Sequence, residues 1–83
     1  MSRLYVGNLS PDASESSVRS MFSAYGKVRS VRMASDIFTG KCVGFGFVEM
    51  AGDEARAAIA GLNGKDCDGK TMKVYFEISY IKR

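Results

Sequence analysis

The sequence predicts an α+β domain in the order β-α-β-β-α-β, with a four-stranded antiparallel sheet carrying two helices on one face. Three observations predict it. Four short runs alternate aliphatic residues with polar or aromatic ones, the period of a strand. Two stretches repeat apolar residues at helical spacing, and Gly, Asn, Asp and Ser clusters separate the six segments.

Arg3 to Gly7 opens the chain as a strand with Leu4 and Val6 on one face and Tyr5 on the other. Gly7-Asn8 and Ser10-Pro11-Asp12 then supply turn chemistry. Val18, Met21, Phe22 and Tyr25 fall on one helical stripe, with Ser14 as its N-cap and Gly26 as its stop. Val28 to Ala34 returns to a strand in which Val31 and Met33 face inward and Ser30 and Arg32 outward; Arg29 fits either side. Ser35-Asp36 and Thr39-Gly40-Lys41 make the next loop.

The octamer Val43-Gly44-Phe45-Gly46-Phe47-Val48-Glu49-Met50 follows, and alternation puts Val43, Phe45, Phe47 and Glu49 on one face. Val48 and Met50 take the other, beside two glycines that permit close packing. Gly52-Asp53-Glu54 opens a second helix with Ala55, Ala58, Ile59 and Leu62 on its apolar stripe, and Asn63-Gly64 ends it. Asp68-Gly69 is a hairpin signal, after which Thr71 to Phe76 forms the last strand, with Met72, Val74 and Phe76 opposite Thr71, Lys73 and Tyr75.

This order makes two split strand-helix-strand halves, a ferredoxin-like sandwich. Right-handed crossovers put both helices on the same face and the first and third strands in the middle. Each strand gives its aliphatic set to the helices, and the open face collects Tyr5, Arg32, Phe45, Phe47, Lys73 and Tyr75. Leaving a Phe in water forgoes about 1.5–3 kcal/mol of burial. A ligand that covers the rings is the natural explanation.

Composition narrows the ligand. The chain has 83 residues, read as a single domain over 1–83 with its core in 3–76 and a basic tail in 77–83. With Cys42 and Cys67 but no histidine, neither a paired zinc-ligand pattern nor a Cys/His catalytic couple can be written, so no cofactor and no metal are expected. The two thiols read as reduced. The first residues enter a strand without an apolar leader, and no stretch has membrane-spanning length. The expected setting is therefore cytoplasmic, with no membrane partner. A net charge of +3 leans towards a polyanion. Rings interleaved with cations suit an unpaired strand, whose bases stack on aromatics and whose phosphates need positive charge.

Leu4-Tyr5-Val6-Gly7-Asn8-Leu9 and Val43 to Met50 resemble the hexamer and octamer of the RNA recognition motif, and the likeness extends over residues 3 to 76. The Asp36-to-Gly40 loop and the Leu62-Asn63-Gly64 turn agree with it. The resemblance implies non-catalytic binding of single-stranded RNA, with single-stranded DNA as an open second ligand, by a monomer of modest affinity. As an isolated domain the chain is similar to small bacterial and organellar members, which implies a bacterial-like setting with nucleus and organelle left open. It implies that Tyr5 and Phe47 each stack on a base and that Phe45 packs against the sugars between them. Asn8 marks the loop after the first strand, and Lys73 and Tyr75 stand beside the ribose-phosphate track. Two positions depart from the family pattern. Val43 occupies the place of a phosphate-pairing Arg or Lys, a loss for which Lys41 and Arg32 are the expected compensation. Met50 stands in the place of an aromatic, inward, where a flexible thioether fills the same space.

Two other readings compete. A motif of this kind can turn its surface to a protein partner, but such relatives commonly lose the aromatic pair or cover it, whereas Tyr5, Phe45 and Phe47 are all present here. An acyl phosphatase on the same fold needs an anion cradle and a group to place water. Here Arg3 and Asn8 lie near the first strand, but the glycines flank Phe residues in a strand instead of forming a phosphate loop.

Overall fold

A computed structural model describes residues 2–67 and 69–77, apart from the side chain of Cys67. The elements are β1 (Ser2–Gly7), α1 (Glu15–Ser23), β2 (Val28–Ser35), β3 (Cys42–Met50), α2 (Gly52–Leu62), β4 (Asp66–Cys67), β5 (Lys70–Thr71) and β6 (Lys73–Phe76). The main sheet is antiparallel in the order β2-β3-β1-β6, so the first and third strands are central as expected. The tail expected over 77–83 lies outside the described residues beyond Glu77.

One face of the sheet is dry. Leu4 and Val6 of β1, Val31 of β2, Val48 and Met50 of β3 and Val74 of β6 join one buried cluster with Val18 and Phe22 of α1 and Ala55, Ala58 and Leu62 of α2. Each belongs to the inward set that alternation or helical spacing assigned. Met21, Tyr25, Met33 and Ile59 are only partly buried and pack around that cluster.

Local chemistry sets the helix ends. Ser14 and Ser17 form a reciprocal capping box, with Ser14 Oγ accepting from the Ser17 N–H at 3.1 Å and Ser17 Oγ accepting from the Ser14 N–H at 3.0 Å. Helix α1 stops at Ser23, before the expected Gly26. Gly26 has a different task, because a β-carbon there would overlap the Glu54 side chain. Glu54 Oε1 accepts from the Lys27 N–H at 3.1 Å, so the small residue lets α2 fasten the turn into β2. At the end of α2, Asn63 Oδ1 accepts from the Val74 N–H at 3.0 Å and ties the helix stop to β6.

The last strand is shorter than expected. Thr71 pairs with Asp66 in a separate two-stranded ribbon, and only Lys73 to Phe76 joins the main sheet. The cause lies at Met72, whose N–H donates to the Lys65 carbonyl and whose carbonyl accepts from Gly64, each at 2.8 Å. Its backbone is thereby committed to the turn after α2, while its side chain stays fully buried.

Two irregularities shape the open face. Val28 pairs with Met50 and Ser30 with Glu49, so Arg29 is an extra residue in β2. The bulge reverses the alternation, which lets both Val28 and Val31 be buried and leaves Arg29 exposed. A second shift lies where Met33 pairs with Gly46 but Ser35 with Cys42. Here Gly44 adopts φ +107°, a left-sided conformation that suits glycine, and its carbonyl accepts from the Leu9 N–H at 2.9 Å. The start of β3 is thus drawn towards the loop after β1.

Candidate nucleic-acid interface

Strand register arranges the expected residues in rows across the sheet. Arg32 opposes Phe47, Phe47 opposes Tyr5, and Tyr5 opposes Tyr75, so one line crosses all four strands from cation to ring to ring to ring. In the next row, Phe45 opposes Gly7 and Gly7 opposes Lys73. The row on the other side holds Ser30, Glu49 and Arg3.

Gly7 explains how the rings come together. A β-carbon there would lie 2.7 Å from Tyr5 Oη, so the absent side chain leaves a floor on which the Tyr5 ring rests. From that position Tyr5 lies 5.0 Å from Tyr75 with planes 26° apart, and 6.0 Å from Phe45 at 21°. Phe47 stands edge-on to both Tyr5 and Phe45, at 5.9 and 6.1 Å. These separations fall in the range of favourable aromatic pairs. Mutual contact leaves Tyr5, Phe45 and Phe47 half-buried, whereas Tyr75 is 49% exposed. The burial forgone by the free protein is accordingly smaller than four fully exposed rings would forgo.

The cations divide. Arg32 and Lys73 are exposed at opposite ends of the aromatic rows. Lys41 is exposed as well, but β3 begins at Cys42 and leaves Lys41 outside the ladder, in the loop. There its N–H donates to Thr39 Oγ1 and its carbonyl accepts from Asp36. Register does not bring it beside the rings. Asn8 is exposed with φ 60°, and its Nδ2 donates to the Thr71 carbonyl at 2.8 Å. This side chain braces the loop after β1 against β5.

The structure also adds residues. Arg3 shares the Tyr5 face of β1, as alternation requires, and its guanidinium carbon lies 5.8 Å from the centre of the Phe47 ring, within cation–π reach. Glu49 Oε2 lies 3.8 Å from Arg3 Nη2, and Glu49 Oε1 accepts from Ser30 Oγ at 3.0 Å. Lys70 lines a second hollow with Tyr5, Asn8, Val43 and Phe45. Parity had already set Glu49 on this face and could have placed Arg3 there; Lys70 needed the ribbon of β4 and β5. Ile37 and Phe38, each 90% exposed, sit on the loop between β2 and β3, where Asp36 Oδ1 accepts from the Phe38 and Thr39 N–H groups.

An aromatic platform fixed by register, bounded by cations and backed by a separate core, can stack unpaired bases and pair with the phosphates between them. Comparison with known proteins agrees in sequence and in fold. The chain is 47% identical over 72 residues to the putative RNA-binding protein RbpB of Nostoc sp., covering 86% of this chain and 70% of that protein. It is 47% identical over 73 residues to the chloroplastic 28 kDa ribonucleoprotein of Spinacia oleracea, covering 87% of this chain and 31% of that longer protein. The crystal structure of RNA binding protein PG1 superposes with a TM-score of 0.87 at 34% identity, covering 100% of this chain and 98% of that one. The Sxl-lethal protein/RNA complex superposes at 0.85 with 28% identity, covering 92% of this chain and 47% of that one. The family model of the RNA recognition motif matches residues 4–73, and the chain belongs to that family.

Proposed function

We propose that this chain binds single-stranded RNA on the open face of its sheet, stacking about two or three bases on Tyr5, Phe47 and Tyr75. Phe45 packs against the sugars between the bases. Arg32 and Lys73 meet phosphates at the two ends of the platform, with Lys41 a more distant contributor from its loop. Asn8 serves the site by holding the loop beside Gly7 in place. The observation that carries this reading is the register line Arg32, Phe47, Tyr5, Tyr75, which gives a strand of nucleotides one continuous track over all four strands. The role is binding without catalysis, by a monomeric domain spanning residues 1–83. Single-stranded DNA is a second ligand wherever contacts to the 2′-hydroxyl are few. The named relatives are cyanobacterial and chloroplastic, which supports a bacterial-like or organellar setting, with the cytoplasm as the proposed compartment.

The test is a titration with a short random-sequence single-stranded RNA followed by backbone amide shifts, repeated with Phe47→Ala. Saturable shifts at Tyr5, Phe45, Phe47 and Tyr75, sparing both helices and weakened at least several-fold in the variant, are expected. A folded protein that shows no shifts at high micromolar RNA overturns the reading.

A further inference from the structure

Beside Phe47 lies a hollow lined by Arg3, Ser30, Arg32, Phe47 and Glu49. One of its members is a carboxylate. On a surface that takes up phosphates, a negative charge repels the ligand, so Glu49 calls for a use that offsets the repulsion. Core packing is not that use, because its neighbours along β3, Val48 and Met50, face the core while Glu49 faces the rings. Its carboxylate is also held in place. The Ser30 hydroxyl donates to Oε1 at 3.0 Å, and Arg3 Nη2 lies 3.8 Å from Oε2, near enough for an ion pair but too far for a hydrogen bond. A carboxylate accepts at about four lone-pair positions. Among the described residues, most of them therefore remain open to a ligand.

We infer that this hollow selects guanine for the base stacked on Phe47, an inference that rests on the sheet face being the RNA surface. Glu49 lies one row from Phe47, where the edge of a base stacked on that ring can reach it. Two carboxylate oxygens side by side are two acceptors, and they match an edge carrying two adjacent N–H donors. Guanine has that edge in N1–H and its N2 amino group. Its O6, next to N1, then falls towards the Arg3 guanidinium, a donor. Cytosine and adenine offer one amino group beside a ring-nitrogen acceptor. Uracil offers a single N3–H between two carbonyl oxygens, so one carbonyl faces a carboxylate oxygen. A good bidentate pair discriminates by about 1–3 kcal/mol, which is roughly 5- to 150-fold in affinity.

The test compares hexanucleotides of uridine with the same strand carrying one guanosine or one inosine, which lacks the N2 amino group, at a central position. The whole chain is used, as wild type and as Glu49→Gln, whose amide keeps the shape but offers one acceptor and one donor. The expected result is a guanosine strand bound at least about fivefold tighter than the uridine strand, with inosine between them and the advantage lost in Glu49→Gln. Equal binding of the guanosine and uridine strands by the wild type overturns the inference, as does an unchanged ratio in the variant. The inosine strand probes the same contact without altering the protein. If both strands bind equally while amide shifts at Tyr5 and Phe47 persist, the guanine subsite fails and the RNA surface stands. If no strand binds, the RNA surface itself fails and the subsite with it.

Discussion

Tyr5 and Tyr75 are directly opposed partners on β1 and β6, and their rings lie 5.0 Å apart at 26° from parallel. The outer strand therefore extends the platform built by the two central strands, and Tyr75 has the most exposed of its four rings. Replacing Tyr75 with Ala removes one stacking surface and one support of Tyr5, so RNA affinity should fall about fivefold or more, the lower end of what a stacked base contributes. Tyr75→Phe keeps the ring and should bind within about twofold of the wild type. Isothermal titration of the three proteins checks this, and an unchanged affinity for Tyr75→Ala would remove β6 from the interface.

Gly7 allows the position of a ring to be separated from its presence. A β-carbon at residue 7 meets the outer end of the Tyr5 side chain, which can swing aside. Ala also suits a strand interior better than Gly by roughly 0.5–1 kcal/mol. Gly7→Ala should therefore leave the melting temperature equal or slightly raised while weakening RNA binding several-fold, because Tyr5 no longer lies flat between Phe45 and Tyr75. Loss of stability in step with loss of binding would show that Gly7 serves the fold instead.

Much of this platform was legible because a strand has a period of two. Once Leu4, Val6, Val48 and Val74 are assigned inward, Tyr5, Phe47 and Tyr75 have only the other face, and the structure agrees. Parity fails where the backbone departs from that period. Nothing in the composition around Arg29 marks an extra residue, and the bulge is visible only in the shift from Val28 opposite Met50 to Ser30 opposite Glu49. The division of the last strand at Met72 depends on hydrogen bonds to Gly64 and Lys65, which are contacts between segments and leave no local trace. Lys41 shows the same limit, since its place depended on where the ladder begins.

Asn8 separates a structural role from a binding one. Its side chain donates to the Thr71 carbonyl, and its φ of 60° is one that Asn tolerates and Ala resists. Asn8→Ala should lose a hydrogen bond of about 0.5–1.5 kcal/mol and add a left-handed penalty of about 1–2 kcal/mol. Asn8→Gly loses the bond without the penalty. Thermal unfolding should therefore rank wild type above Gly above Ala, with a fall of roughly 6–28 °C for Ala in a domain of this size. At a temperature where all three are folded, their RNA affinities should agree within about threefold; a larger loss would mean that Asn8 touches the ligand.

Val43 is the position where a cation can be restored. The family pattern places Arg or Lys there, and in this chain Val43 is 51% exposed in the hollow it shares with Tyr5, Phe45 and Lys70. The Gly44 bulge draws this segment towards the loop after β1 without burying it, so a longer side chain has room to follow a phosphate. Each phosphate neutralised on a single strand steepens the dependence of log affinity on log salt by about 0.7. Val43→Lys should steepen the slope by that amount or less and tighten binding several-fold at low salt, with the gain shrinking as salt rises. The reverse experiment supplies the scale, since Arg32→Gln and Lys73→Gln should each flatten the slope by a similar increment if both cations meet phosphates. A Val43→Lys protein whose slope and affinity match the wild type would show that no phosphate passes the start of β3, and the track would then run over Arg32 and Lys73 alone.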